Sequence, residues 1–229
     1  MKRHGWYGRL VLIGISLAMS ACASVNDPAM PGSEGQTIFP QQAMFSSNVA
    51  VFGRWTQVAD RFAQQKAAGS PSADKWAALI DDLKSRPLAD RVARANSYFN
   101  AVPYVLAVKN WGDAGYWETP YEFLARGGQC QDYAIAKYFA LKASGVPESD
   151  MRFVVVRDIQ RSLDHAILVV AVNGQDYVLD NQDTRLETLA DVHRYRAYYA
   201  LNNTGWWAYS VRVASTQVAT SGIIRPEAQ

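Results

Sequence analysis

The stretch that most constrains this chain is Gly127-Gly128-Gln129-Cys130-Gln131-Asp132-Tyr133-Ala134-Ile135-Ala136-Lys137-Tyr138. A double glycine breaks the preceding pattern. An amphipathic run starts at once, with Ala134, Ile135, Tyr138, Phe139 and Leu141 at helical spacing until Gly145 and Pro147 end it. Cys130 therefore falls at or just before a helix N-terminus. Orphan N–H groups and the positive end of the helix dipole favour an anion there. A thiolate at such a place is a candidate nucleophile. Lone cysteines are more often small buried hydrophobes, so the assignment needs a base, and local sequence does not supply one.

Around this stretch the periodicity changes once. Residues 49–66 carry Val51, Trp55, Val58, Ala59 and Phe62 on one helical face. Ser70-Pro71-Ser72 predicts a cap and a Pro start for the next helix, whose stripe is Trp76, Leu79, Ile80 and Leu83. Pro87 separates it from a third, with Leu88, Val92, Ala95 and Phe99. Pro103 to Gly115 reads as loop or short extended chain, and Thr119-Pro120-Tyr121-Glu122 as a capping box opening a short helix. Beyond Pro147 the period becomes strand-like. Phe153-Val154-Val155-Val156 and the run from His165 to Val172 are apolar and β-branched. Asn173-Gly174 is a strong two-residue hairpin signal, and Tyr177 to Asp180 is the returning strand. Residues 184–194 read as loop with a helical turn, and Trp206 to Val213 as a last strand. The fold class expected is α+β, with N-terminal helices followed by an antiparallel sheet packed on the helix carrying Cys130.

The N-terminus reads as a targeting segment. Lys2, Arg3 and Arg9 precede an apolar run from Leu10 to Met19, too short to span a bilayer. Met19-Ser20-Ala21-Cys22 then resembles a bacterial lipoprotein signal, which implies cleavage before Cys22 and lipid on its thiol. Ordinary signal cleavage near Ala23 is the alternative. Ala23 after the cysteine, with no Asp, suggests the outer membrane. The expected division is a signal over 1–21, a flexible tether over 22–44 rich in Pro, Gly and Ser, a catalytic domain over 45–215 and a tail over 216–229. The net charge of +2 gives no reason to expect nucleic acid. The chain has two cysteines. With Cys22 acylated, Cys130 is a free thiol in an oxidising compartment, which argues for chemistry over structure.

A nucleophilic cysteine needs a base, and the base an orienting group. Of three histidines, His4 lies in the signal and His193 in a polar stretch, which leaves His165 at the start of a strand. The Asn173-Gly174 turn brings His165 and Asp180 to the same open end of a hairpin. Asp164 and Asp183 compete for the carboxylate role. The order Cys130, His165, Asp180 fits a catalytic triad.

Residues 116–145, together with Asp164-His165-Ala166, Tyr177-Val178-Leu179-Asp180-Asn181 and the Tyr/Trp-rich end near 195–209, resemble the bacterial transglutaminase-like cysteine peptidases. That group includes a periplasmic protease that releases large adhesins from the outer membrane. The resemblance implies a transglutaminase-like, papain-related fold. It carries over Cys130 as nucleophile, His165 as base and Asp180 as orienting carboxylate. As partners it implies a protein substrate such as a large adhesin and an inner-membrane cyclic-di-GMP receptor as regulator. One departure stands at the site. The relatives carry Asp-Cys-Glu-Asp, whose acids serve calcium binding; here the string is Gln129-Cys130-Gln131-Asp132. Asp132 alone leaves a weak calcium site or none, so no cofactor is expected. The expected protein is a lipid-anchored, periplasm-facing cysteine endopeptidase. A silent peptide-binding lipoprotein and a transglutaminase-type acyl transferase are the alternatives.

Overall fold

The computed structural model describes residues 38–39 and 43–209. The segment 1–21, Cys22, most of the tether and the tail over 216–229 lie outside the described residues. Helices come first: α1 (Gly53–Ala68), α2 (Ala73–Lys84), α3 (Leu88–Asn100), the short α4 (Ala107–Trp111) and α5 (Pro120–Arg126), and α6 (Cys130–Ala143). The strands are β1 (Ala43–Ser46), β2 (Met151–Asp158), β3 (Leu163–Val172), β4 (Gln175–Leu179), β5 (Glu187–Thr188), β6 (Tyr195–Asn202) and β7 (Gly205–Tyr209). They form one antiparallel sheet in the order β1-β7-β6-β2-β3-β4-β5.

The α+β expectation stands, with local corrections. Strand β1 takes in Ala43 and Met44, which were assigned to the tether, because Ala43 pairs with Tyr209 at the sheet edge. Pro71 is not the first residue of α2; it sits in the preceding turn, and Ser72 is the N-cap without a side-chain cap bond. The loop over 103–115 contains α4. Strand β6, next to β2, was not predicted. Its alternation of buried Tyr195 and Ala197 with exposed Arg196 and Tyr198 is strand-like, but it lacks the β-branched residues that signalled β2 and β3.

The largest correction concerns α6. It was read as amphipathic, yet every residue from Asp132 to Leu141 is buried. The helix lies between β3 on one side and α2, α3 and α5 on the others, so it has no solvent face over that span. Ile135, Leu141 and Tyr138 are fully covered and share one core with Phe99, Phe153 and Leu168. Burial of each such side chain stabilises by roughly 1.5–3 kcal/mol. The consequence for function is a fixed platform: the N-terminus of α6 cannot shift without disturbing the centre of the core. The opposite face of the sheet carries a second core of Val154, Ile167, Val169, Val178 and Tyr195.

Candidate active site

Cys130 is the first residue of α6, and three devices hold it there. The capping box of α5 is formed as expected, with Thr119 and Glu122 exchanging side chain to backbone bonds. Helix α5 ends at Gly127, whose φ of 74° is left-handed; a Cβ there would lie 2.3 Å from the Pro103 carbonyl oxygen. Gly128 then pairs with the segment around Tyr104, its N–H donating to Pro103 O and its carbonyl accepting from Val105 N–H. The third device is Asp132. Its Oδ1 accepts from Glu118 N–H and its Oδ2 from Gln129 N–H, both at 2.8 Å. Burial pushes the Asp132 carboxyl up to about 8, against the lowering by these two hydrogen bonds. Cys130 itself is half-buried, and the N–H groups of Cys130 and Gln131 take no backbone partner among the described residues.

The base arrives on the sheet. The β3–β4 hairpin turns through Asn173 and Gly174, both at positive φ, as a type I′ turn requires. The ladder runs from Val172 opposite Gln175 to Leu168 opposite Leu179. Past that point the strands splay, and His165 Nε2 meets Asp180 Oδ1 at 2.8 Å, with both side chains about 1% exposed. Since Asp180 occupies Nε2, Nδ1 is the ring nitrogen left to serve Cys130, whose thiol donates to Gln131 Oε1 at 3.6 Å and whose charge acts on the imidazole. Gln182 Nε2 lies 3.4 Å from Nδ1. Burial alone would push His165 down, but its hydrogen bond to Asp180 and the charges of Asp180 and Cys130 outweigh it and raise it to about 9. Burial likewise opposes ionisation of Asp180. The imidazolium, the Tyr195 hydroxyl and the Gln182 N–H prevail and hold it well below the usual carboxylate range.

The structure brings Cys130, His165 and Asp180 together and leaves their competitors apart. Asp164 is exposed and bonded to Arg157 and Tyr198, Asp183 is bonded to Arg185, and His193 is exposed. Asp132 is a capping residue of the cysteine helix. Cys22 and His4 lie outside the described residues.

Sequence reasoning missed the groups behind Asp180. Tyr195 Oη donates to Asp180 Oδ2 at 2.6 Å, Arg194 Nη2 donates to the same oxygen at 3.3 Å, and Asn100 Nδ2 donates to the Asp180 carbonyl at 2.8 Å. Their signal in the sequence was only the aromatic density near 195. It also missed Lys137, fully buried on α6, whose Nζ has no hydrogen-bond partner. Burial pushes its amine down to about 7, against the pull of the Asp180 charge.

Comparison with known proteins follows this geometry. The family described as bacterial transglutaminase-like cysteine proteinase BTLCP matches residues 55–213. Legionella pneumophila LapG is 26% identical with a TM-score of 0.54, over 66% of this chain and 87% of that one. Its calcium-bound form gives 26% identity and a TM-score of 0.55, over 69% and 91%. No curated protein matches the chain.

Proposed function

This chain belongs to the bacterial transglutaminase-like cysteine proteinases, and we propose that within that family it is a lipid-anchored, periplasm-facing endopeptidase in which Cys130 is the nucleophile, His165 the base and Asp180 the orienting carboxylate. The observation that carries the reading is the buried 2.8 Å contact between His165 and Asp180, with a half-buried thiol at a helix N-terminus near enough for its charge to act on the imidazole. That is the nucleophile, base and orienter arrangement of thiol hydrolysis.

The mechanism follows from the atoms. His165 Nδ1 takes the thiol proton, and the Cys130 sulfur attacks the scissile carbonyl carbon. The carbonyl oxygen becomes an oxyanion, and the unpaired N–H of Cys130 is placed to donate to it. The imidazolium gives its proton to the amide nitrogen, the C–N bond breaks and the amine leaves. Water then attacks the thioester carbon with His165 taking its proton, which releases a carboxylic acid and the free thiol. Asp180 keeps Nε2 protonated throughout, so Nδ1 is the atom that cycles.

Calcium plays no part in this reading. A calcium ion takes six to eight oxygen ligands with net negative charge. Asp132, the one acid left beside Cys130, already has both oxygens on backbone N–H groups, and Gln129 Oε1 accepts from Ala107 N–H at 2.6 Å. Among the described residues no group of three His, Cys, Asp or Glu is placed to hold a metal ion. On this reading Gln129 and Gln131 leave a weak calcium site or none.

Attachment through Cys22 and an outer-membrane location rest on Met19-Ser20-Ala21-Cys22 after the apolar run. A large cell-surface adhesin is the proposed substrate, with an inner-membrane cyclic-di-GMP receptor as regulator. The test is to incubate the full chain and Cys130→Ala with such an adhesin and analyse products by mass spectrometry. Cleavage by the wild type alone, with water added at one bond, is expected. Equal cleavage by Cys130→Ala overturns the reading, and isopeptide products with an amine would assign acyl transfer instead.

A further inference from the structure

Tyr104 forms an isolated parallel β-bridge with Gly128 on the approach to Cys130. Its contacts fix which way each backbone group points. Pro103 O and Val105 N–H both turn toward Gly128. Alternation along an extended chain therefore turns the N–H and C=O of Tyr104 the other way. Neither takes a partner among the described residues. Two unpaired groups on an ordered, extended residue are a strand edge one residue long.

This edge is held firmly. The Tyr133 hydroxyl donates to Val102 O, and the Tyr104 ring stacks on Tyr133 at 6.4 Å. Gln129 ties the next residues down, its Oε1 accepting from Ala107 N–H at 2.6 Å. The edge is also close to the chemistry: Tyr104 pairs with Gly128, two residues before Cys130, and the Cys130 charge reaches the Tyr104 phenol. Tyr104, Leu106 and Val108 are more than half exposed, an apolar run beside a free backbone edge.

We propose that the outward backbone edge of Tyr104 is where the substrate chain docks: one residue of an extended peptide exchanges both main-chain hydrogen bonds with Tyr104, which lays the scissile carbonyl over Cys130. The proposal rests on Cys130 being the nucleophile. It names the substrate class as an extended, unpaired stretch of polypeptide, since a residue inside a helix or a sheet ladder has no free N–H and C=O to offer. Recognition of this kind reads backbone and tolerates most side chains at the paired residue, proline excepted because it has no N–H.

The probe is acetyl-Ala-Ala-Ala chloromethyl ketone, with three versions in which each backbone amide in turn is N-methylated. Iodoacetamide, which has no peptide to dock, is the reference. Second-order rates of Cys130 alkylation are read on the full chain. In the wild type one N-methylation is expected to slow the peptidyl reagent about tenfold, the others less than threefold. Ten-fold corresponds to about 1.4 kcal/mol, in the range of one backbone hydrogen bond. Tyr104→Pro removes the N–H and should slow the parent reagent about tenfold and leave the iodoacetamide rate unchanged, while the N-methyl effect, which reads the carbonyl of residue 104, persists. Tyr104→Ala keeps both groups and should retain the parent rate to within about threefold together with the N-methyl effect. A flat N-methyl scan on the wild type overturns the docking without recourse to any variant. So does equal slowing by Tyr104→Ala and Tyr104→Pro. A Cys130 that resists iodoacetamide brings down the peptidase reading and the docking with it, whereas a Cys130 that iodoacetamide alkylates but N-methylation does not affect overturns the docking alone.

Discussion

His165 and Asp180 meet at 2.8 Å without being cross-strand partners: the ladder between their strands closes at Leu168 and Leu179, and the two residues lie beyond it. Their contact is thus a property of the splayed end of the hairpin, made by side chains and secured by Tyr195 and Arg194 on the far oxygen. The raised His165 and the depressed Asp180 are two sides of one interaction. The imidazolium is needed to protonate the leaving amine, so kcat/KM for a peptide should fall above about pH 9. Asp180→Asn removes the charge that raises His165. The alkaline limb should move to lower pH, and kcat/KM at pH 7 should fall at least about tenfold. The pH–rate profile of both proteins checks this; an unmoved limb refutes it.

Stability should carry the same signature. A raised His165 contributes stability that is whole below its unfolded value of 6.5 and is lost as pH rises to about 9. A depressed Asp180 contributes stability present above 3.8 and lost as pH falls below it. The difference in unfolding free energy between wild type and Asp180→Asn should therefore be greatest between about pH 4 and 6.5. Urea denaturation across pH measures it.

Much of this arrangement was legible before any coordinates. Asn173-Gly174 fixed a turn because both residues must take positive φ, and the hairpin's length then brought His165 and Asp180 to one end. Gly127-Gly128 before Cys130 announced a helix start because few residues other than glycine make that approach. What stayed hidden was three-dimensional. Tyr195 reaches Asp180 from β6, two strands away from β3 across the sheet, and no local pattern encodes that distance. The full burial of α6 was hidden too: the run read as amphipathic, and Asp132 and Lys137 are enclosed by elements distant in the chain.

Gly127→Ala should test how tightly the cysteine helix is positioned. The new Cβ would stand 2.3 Å from Pro103 O and 3.1 Å from Val105 Cγ2, on a backbone with φ of 74°. Neither neighbour is the free end of a flexible side chain. A loss of about 2–4 kcal/mol is expected, with slower alkylation of Cys130, because the pairing of 103–105 with Gly128 must open. Chemical denaturation and iodoacetamide kinetics on one preparation read both effects.

Lys137 offers a test in the opposite direction. Its Nζ is buried without a hydrogen bond, so the fold bears an unsatisfied donor. With an amine near 7 in the fold and 10.5 unfolded, the penalty is absent above 10.5, grows as pH falls and is complete below about 7. Lys137→Met keeps the volume and removes the group. Stability at pH 7 should rise by about 1–3 kcal/mol, and the slope between pH 7 and 10.5 should flatten relative to wild type. A variant less stable than wild type at pH 7 would mean that the amine is satisfied in solution.

Calcium independence is the prediction that most separates this chain from the Asp-Cys-Glu-Asp pattern its site resembles. Titration calorimetry of the full chain with micromolar calcium should show no binding heat, and chelation should leave the alkylation rate of Cys130 unchanged. The double change Gln129→Asp with Gln131→Glu restores two acids beside the thiol. Like charges disfavour a thiolate, so without calcium this variant should alkylate more slowly than wild type. Added calcium, by neutralising those acids, should bring the rate back up. The wild type needs no such relief, because amides stand where the charges would be and Asp132 is held by Glu118 and Gln129. Micromolar binding by the wild type would show that oxygen donors other than these suffice, and would return calcium to the mechanism.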